Sequence, residues 1–209
     1  GGLEAVTVDA PAVHSRVKRL AAAQSTDIGT KLVKAGVTLV AGRARLGEDT
    51  LGHTHRVVVT PSGGDAPYSI DASTVLVATG ATPRVLPTAV PDGERILDWR
   101  QVYALDRLPA HLIVVGSGVT GAEFASAYLA MGVAVTLVSS REHVMPHEDP
   151  DAARAIERVF RDRGMTVLGR SRASSAEATG DGVVVSLADG RRVTGSHVLM
   201  AVGSVPNTE

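Results

Sequence analysis

The sequence predicts an α/β fold: a parallel sheet with helices, accompanied by a small antiparallel β-meander, in two similar units. Three observations carry this. A continuous apolar run, His111-Leu112-Ile113-Val114-Val115, leads straight into a glycine-rich turn and then a helix-forming stretch, as a parallel strand covered on both faces does. Runs of β-branched residues joined by glycine turns read as antiparallel hairpins. Finally, a series of segments recurs in the same order in the two halves of the chain, the mark of an internal repeat.

Composition bounds the rest. The 209 residues leave room for one large domain or two small ones, and with 44% apolar but only 3% aromatic residues the cores must be built from Ala, Val and Leu. Lys and Arg number 21 against 22 Asp and Glu, a net charge of −1, which argues against nucleic acid or a polybasic membrane patch as partner. No apolar run approaches the roughly 20 residues that span a bilayer. Gly1-Gly2-Leu3-Glu4 lacks the basic and apolar stretches of a signal peptide. The expectation is a cytoplasmic protein and a piece of a longer one. There is no cysteine, hence no disulfide framework, thiolate metal site or thiol nucleophile in this stretch.

Taken in order, residues 13–34 read as a helix with Gly36 as its stop. Residues 37–40 are expected to form a short strand, 55–60 and 68–70 a hairpin around Gly63-Gly64-Asp65, and 73–78 a buried strand ending in Thr79-Gly80. Pro83, Pro87, Pro91 and Pro109 mark a linker with a short helix around Trp99 to Leu105. Then come a strand at 111–115, the turn at 116–121, a helix at 122–131 stopped by Gly132, and a strand at 133–138. Asp149-Pro150-Asp151 starts a helix, with Asp149 as cap and Pro150 in the first helical position. Its buried face is expected from Ala152, Ile156, Val159 and Phe160, and its end at Gly164. A strand at 165–168, a hairpin of 183–187 with 192–194 across Ala188-Asp189-Gly190-Arg191, and a strand at 197–201 complete the pattern. The expected domains are 1–85, a linker at 86–110, 111–203, and a return segment at 204–209.

The repeat pairs Gly36-Val37-Thr38-Leu39-Val40 with Gly164-Met165-Thr166-Val167-Leu168, and Val57-Val58-Val59-Thr60 with Val183-Val184-Val185-Ser186. It also pairs Val75-Leu76-Val77-Ala78-Thr79-Gly80-Ala81-Thr82-Pro83 with Val198-Leu199-Met200-Ala201-Val202-Gly203-Ser204-Val205-Pro206. The second unit opens with its strand and glycine turn well before Gly164. A counterpart before Gly36 would lie upstream of Gly1, so residues 1–80 are expected to be the tail of such a unit.

Gly116-Ser117-Gly118-Val119-Thr120-Gly121 fits G-x-G-x-x-G. The motif is weak alone and strong between a strand and a helix. Gly116 permits the tight turn, Gly118 lets the backbone approach a pyrophosphate, and Gly121 lets helix and strand pack closely. Free N–H groups at the positive helix end face the phosphates. A Rossmann-like dinucleotide-binding unit follows. Where an NAD site places an acid for the ribose 2′-OH, the second strand ends in Ser139-Ser140-Arg141, with Glu142 as the next acid. Without a carboxylate there, Arg141 can offer a forked donor to a 2′-phosphate, so tolerance or preference for NADPH is expected.

With these residues in view, the chain resembles the flavoprotein disulfide reductases of the pyridine nucleotide–disulfide oxidoreductase family, lipoamide dehydrogenase and glutathione reductase among them. The resemblance rests on the strand followed by Gly116-x-Gly118-x-x-Gly121-x-Glu123, on Ala78-Thr79-Gly80 followed by Pro83, and on Ala201-Val202-Gly203-Ser204-Val205-Pro206-Asn207-Thr208. Within the family, Asp92 to Leu97 and Leu112 to Phe124 are most similar to the lipoamide-dehydrogenase-like NAD(P)H:quinone reductases of actinobacteria.

What the resemblance implies is an FAD-dependent oxidoreductase passing hydride from NAD(P)H through FAD to a small-molecule acceptor, a quinone. The alternatives are a dihydrolipoamide dehydrogenase or other disulfide reductase, and, for the segment alone, a non-catalytic dinucleotide-binding module. Ala44, Thr79, Gly80 and Ala81 would lie along FAD. Gly116, Ser117, Gly118, Val119, Thr120, Gly121 and Glu123 would wrap the NAD(P)H diphosphate and nicotinamide ribose, with Glu123 near the nicotinamide. Ser139, Ser140 and Arg141 would meet the adenosine ribose, Ala173 the adenine, and Gly203 would permit close approach of the dinucleotide. The family's redox Cys pair would lie upstream, and a dimerisation domain, making the parent a homodimer, would lie past Glu209. No residue here reads as a catalytic acid, base or nucleophile.

His143, His147, Glu148 and Asp149 read as a loop and helix cap rather than a metal site. His53 and His55 read as exposed, and Trp99 with Tyr103 as linker or core packing. Tyr68, Tyr103 and Tyr128 are followed four residues on by Ala72, Arg107 and Gly132, so the Tyr-x-x-x-Lys pair of short-chain dehydrogenases is absent, as is a G-x-S-x-G elbow.

Overall fold

A computed structural model of the chain describes residues 8–48 and 54–208; His53 lies outside them. The fold is α/β, and the chain divides into two compact units, one of Val17–Thr79 and one of the residues up to Arg16 with those from Gly80 onward.

Helix α1 (Ala10–Lys34) is capped by Asp9, whose Oδ1 accepts from the Ala12 amide at 3.0 Å. It ends as the sequence predicts. Gly36 takes φ +80°, the Val37 amide reaches back to the Leu32 carbonyl and the Gly36 amide to that of Val33, a Schellman closure only glycine adopts cheaply. Strands β1 (Gly42–Leu46), β2 (His55–Pro61) and β3 (Tyr68–Ala72) form an antiparallel meander in that order. Arg56 and Asp71 face each other across it and join at 2.9 Å.

Two expectations fail in this unit. Residues 37–40 and 73–78 run outside any sheet, and the strand after α1 is β1 instead. The cause is the lack of a ladder partner: β-propensity becomes a strand only where a neighbour takes up the backbone hydrogen bonds. No neighbour stands beside them among the described residues, and Leu76 and Val77 remain 88% and 58% exposed.

The larger unit contains β4 (Ala81–Pro83), β5 (Ile96–Leu97), a 3-10 turn (Gln101–Ala104), β6 (His111–Val115), α2 (Val119–Ala130), β7 (Ala134–Val138) and α3 (Pro150–Asp162). It continues with β8 (Thr166–Leu168), β9 (Ala173–Ala178), β10 (Val183–Leu187), β11 (Arg192–Gly195), β12 (His197–Met200) and β13 (Ser204–Pro206). Strands β5-β12-β6-β7-β8 form one sheet in that order, all neighbours parallel. The proline-rich stretch therefore contributes an edge strand, β5. The predicted second hairpin is a three-stranded meander, because β9, which sequence reading missed, joins β10.

The pleat sorts the core. Leu112 and Val114 of β6 face one cluster with Val135 and Leu137 of β7, Ala122 and Ala125 of α2, and Phe160 of α3. Ile113 and Val115 face the other, with Val138, Val198, and Val183, Val185 and Leu187 of β10. One face of the sheet is thus covered by helices and the other by the meander, which is why β6 is apolar on both faces from Leu112 to Val115. Tyr128 closes the helical side, its hydroxyl 3.2 Å from His14 Nε2, and burial first and Tyr103 second push it up to about 12.

Asp149 caps α3 as predicted, accepting from the Asp151 and Ala152 amides. The buried stripe is shifted by one residue from expectation: Ala153 and Phe160 are buried and Ile156 half-buried, while Ala152 and Val159 are exposed. Ala153 and Phe160 lie seven apart with Ile156 between, the α-helical spacing of a single face. Helices α2 and α3 close at Gly132 (φ +89°) and Gly164 (φ +93°) with the same paired bonds as α1. The repeated segments meet: β13 pairs with β4 antiparallel, Val205 opposite Thr82.

Candidate functional site

The glycine turn sits where β6 ends and α2 begins, and its three glycines are separated by what a side chain would meet. A Cβ on Gly116 (φ +109°) would lie 2.1 Å from the Ala201 carbonyl oxygen, and one on Gly121 would lie 1.9 Å from the Gly116 carbonyl oxygen. Both allow backbone to pack on backbone at the ends of β6 and β12. Gly118 has nothing within 4 Å, so its missing side chain opens space for something outside the protein. α3 is capped by Asp149, but no side chain caps α2. Its first-turn amides, which no helical carbonyl can satisfy, are left facing out with the positive end of the helix dipole.

They face a cleft of about 430 Å³ lined by Gly116 to Thr120, Ser140, Arg141 and Gly203, together with Trp99, His147 and the 201–204 segment. A second cleft of about 350 Å³ shares Gly116, Ser140, Arg141 and Val202 with the first and adds Ala173, Ser171, Arg84 and Arg172. The predicted site residues Gly116, Ser117, Gly118, Val119, Thr120, Ser140, Arg141, Ala173 and Gly203 therefore converge on two adjoining clefts.

The other predicted residues lie elsewhere. Ser139 is fully buried; its Oγ donates to the Arg141 carbonyl at 3.0 Å, accepts from the Arg141 amide at 3.1 Å and is 2.7 Å from Ser117 Oγ. Its hydroxyl is consumed internally, so it shapes the loop that presents Ser140 and Arg141. The Met145 amide donates to the Ser117 carbonyl at 2.7 Å and straps the same loop to the glycine turn. Glu123 is exposed on α2 and lines neither cleft; burial first, and the Glu123 charge second, hold the Tyr103 hydroxyl above its ordinary value. Ala44 lies on β1, Thr79 and Gly80 at an exposed turn, and Ala81 on β4, none lining either cleft.

Sequence reading treated Trp99 as packing only. It packs against the helical core and also borders the first cleft. Arg84 and Arg172 carried no motif at all; only the fold brings them beside Arg141. His143 sits 3.5 Å from Glu157, whose carboxylate is held below its usual range because Arg161 and the Val144 amide outweigh the effect of burial.

A parallel sheet with helices on one face, a glycine turn entering an uncapped helix and a cleft at the strand ends define a dinucleotide-binding α/β unit. Residues 7–209 match the pyridine nucleotide-disulphide oxidoreductase family, and the chain belongs to it; it is a family of oxidoreductases that use FAD and NAD(P)H. The chain is 55% identical over 202 residues to the NAD(P)H dehydrogenase (quinone) of Mycobacterium tuberculosis strain H37Rv, covering 96% of this chain and 41% of that protein. It is 32% identical to a dihydrolipoyl dehydrogenase of Rhizobium etli, covering 98% of this chain and 45% of that one. The crystal structure of LpdA from Mycobacterium tuberculosis superposes with a TM-score of 0.87 at 54% identity, over 98% of this chain and 44% of that one. The chain thus spans less than half the length of the relatives it matches. No helix among the described residues is long and apolar enough to cross a membrane.

Proposed function

We propose that the chain supplies the hydride-donor site of an FAD-dependent NAD(P)H oxidoreductase whose acceptor is a quinone. The observation that carries this is the uncapped start of α2 opening, at Gly118, into a cleft with room for a ligand backbone. The amides of the 116–121 turn hold the diphosphate, Ser140 and Arg141 meet the adenosine ribose, Ala173 lies by the adenine, and Gly203 faces the dinucleotide across the cleft. Ala44, Thr79, Gly80 and Ala81 are assigned to FAD on the strength of the family match. When bound, the nicotinamide supplies hydride and the flavin accepts it; this chain's part is to bind and orient, with no acid, base or nucleophile of its own. The 55% identity to a protein named for quinone reduction favours quinone over the disulfide acceptors of the 32% identical dihydrolipoyl dehydrogenases. A cytoplasmic homodimer, joined through a further domain of the parent, completes the proposal.

Anaerobic turnover of the full-length protein with NADPH, offered a small quinone and lipoamide in one assay, tests it. Quinone reduction without lipoamide reduction is the expected result; fast lipoamide reduction would replace the quinone by a disulfide. In the same protein Arg141→Ala is expected to weaken NADPH by about 1–3 kcal/mol more than NADH. Equal losses would remove Arg141 from any contact with a 2′-phosphate.

A further inference from the structure

We propose that Arg84 and Arg172 join Arg141 in a three-arginine site for the phosphate monoester on the adenosine ribose, so that the chain selects the 2′-phosphorylated dinucleotide. This rests on the proposal that the clefts hold NAD(P)H and extends it to residues no motif identifies.

The second cleft is lined by all three arginines and by Ser140 and Ser171, and by no carboxylate. Glu142, next to Arg141 in sequence, pairs with Arg170 at 2.5 Å, and Asp189 pairs with Arg191 at 2.6 Å. Arg56, Arg100, Arg154, Arg161, Arg170 and Arg191 each pair with a carboxylate. Among the described residues Arg84, Arg141 and Arg172 make no ion pair and no side-chain hydrogen bond. Three guanidinium groups gathered around one cleft without a counter-charge repel each other, and a dianionic group placed among them relieves that repulsion. A phosphate monoester carries close to two charges and three acceptor oxygens; a ribose hydroxyl offers neither.

The arginines come from three separate elements, and backbone bonds hold each in place. The Arg84 amide, after β4, donates to the Gly203 carbonyl at 2.9 Å. The loops after β7 and β8 are joined by Arg170 N–H to the Arg141 carbonyl at 2.8 Å and Ser171 N–H to the Ser139 carbonyl at 2.7 Å. The Arg172 carbonyl accepts from the Ala188 amide at 2.8 Å. Gly169 permits this close approach, since a Cβ there would lie 2.6 Å from the Glu142 carbonyl oxygen. All three arginines are exposed while backbone bonds fix their loops, the arrangement of a site built before its ligand arrives. Leu86 and Ala173 give the same cleft an apolar wall suited to an adenine ring, and Gly116 of the glycine turn lines both clefts.

The test is titration of the chain with NADPH and with NADH, read by the fluorescence of Trp99, the single tryptophan, which borders the first cleft. The expected result is NADPH binding about tenfold or more tighter than NADH. Arg84→Ala and Arg172→Ala should each lower NADPH affinity about five- to thirtyfold and NADH affinity less than twofold. NADH affinity in each variant is the control for folding. A NADPH to NADH ratio unmoved by both substitutions would overturn the arginine site while leaving dinucleotide binding intact; no binding of either cofactor to the unsubstituted chain would overturn both. 2′,5′-ADP should compete better than 5′-AMP. Inorganic phosphate that displaces NADPH and NADH equally would place the anion preference at the glycine turn and count against the arginines.

Discussion

Gly121→Ala is expected to destabilise the larger unit by about 3 kcal/mol or more, whereas Gly118→Ala leaves the fold slightly more stable and abolishes dinucleotide binding. The two substitutions add the same methyl group three residues apart in one turn. At Gly121 that carbon would sit 1.9 Å from the Gly116 carbonyl oxygen and 2.9 Å from its carbon. Both are backbone atoms, so no rotamer change relieves the clash, and α2 must lift from β6. At Gly118 the backbone already has φ −67° and ψ −177°, a conformation alanine adopts freely, and no atom lies within 4 Å. Replacing glycine in such a place removes freedom from the unfolded chain and stabilises by about 0.4–1 kcal/mol. The methyl group instead occupies the space proposed for the diphosphate. Thermal melting separates the two effects, and Trp99 fluorescence on adding NADH reads the second. If Gly118→Ala bound NADH as the unsubstituted chain does, the diphosphate could not lie over this turn.

That contrast also shows how far the residues themselves disclosed the structure. Helix ends were legible because a positive-φ glycine closes each in the same way, at Gly36, Gly132 and Gly164. The motif was legible because its three glycines do different steric work. The strands expected at 37–40 and 73–78 were misread because their β-branched residues state a propensity but not a partner. Ser139 shows a second limit. Its place at the end of β7 suggested ribose contact, but a small hydroxyl there satisfies loop backbone, as its bonds to Arg141 show. Arg84 and Arg172 were invisible for a third reason: 88 positions separate them, and only the return of the chain along β4 and past β8 puts them at one cleft.

Asp98→Ala is expected to cost about 2–4 kcal/mol and to loosen the first cleft with it. Asp98 is only 5% exposed. Its Oδ1 accepts from the Arg100 and Gln101 amides at 2.7 and 2.9 Å, and its Oδ2 from the Arg100 guanidinium at 2.9 Å. Those bonds set the turn that sends Val102 into the core and Trp99 to the cleft edge. Alanine leaves the Arg100 amide short of its acceptor, leaves the Gln101 amide only its 3.2 Å bond to the residue 98 carbonyl, and frees the Arg100 side chain. The effect carries a pH signature. Burial alone would raise the carboxyl, but the Arg100 guanidinium and the two amides outweigh it and hold the group below the usual carboxylate range. A carboxyl depressed by folding adds stability that is complete above its unfolded value, about 3.9, and is lost as pH falls through its folded value. The stability difference between the chain and Asp98→Asn, measured in urea, should therefore be constant from pH 7 to about 5 and shrink as pH drops below about 4. A difference that stays level into strong acid would show that the charge on Asp98 does not hold the turn, and Trp99 would then owe its place at the cleft to core packing alone.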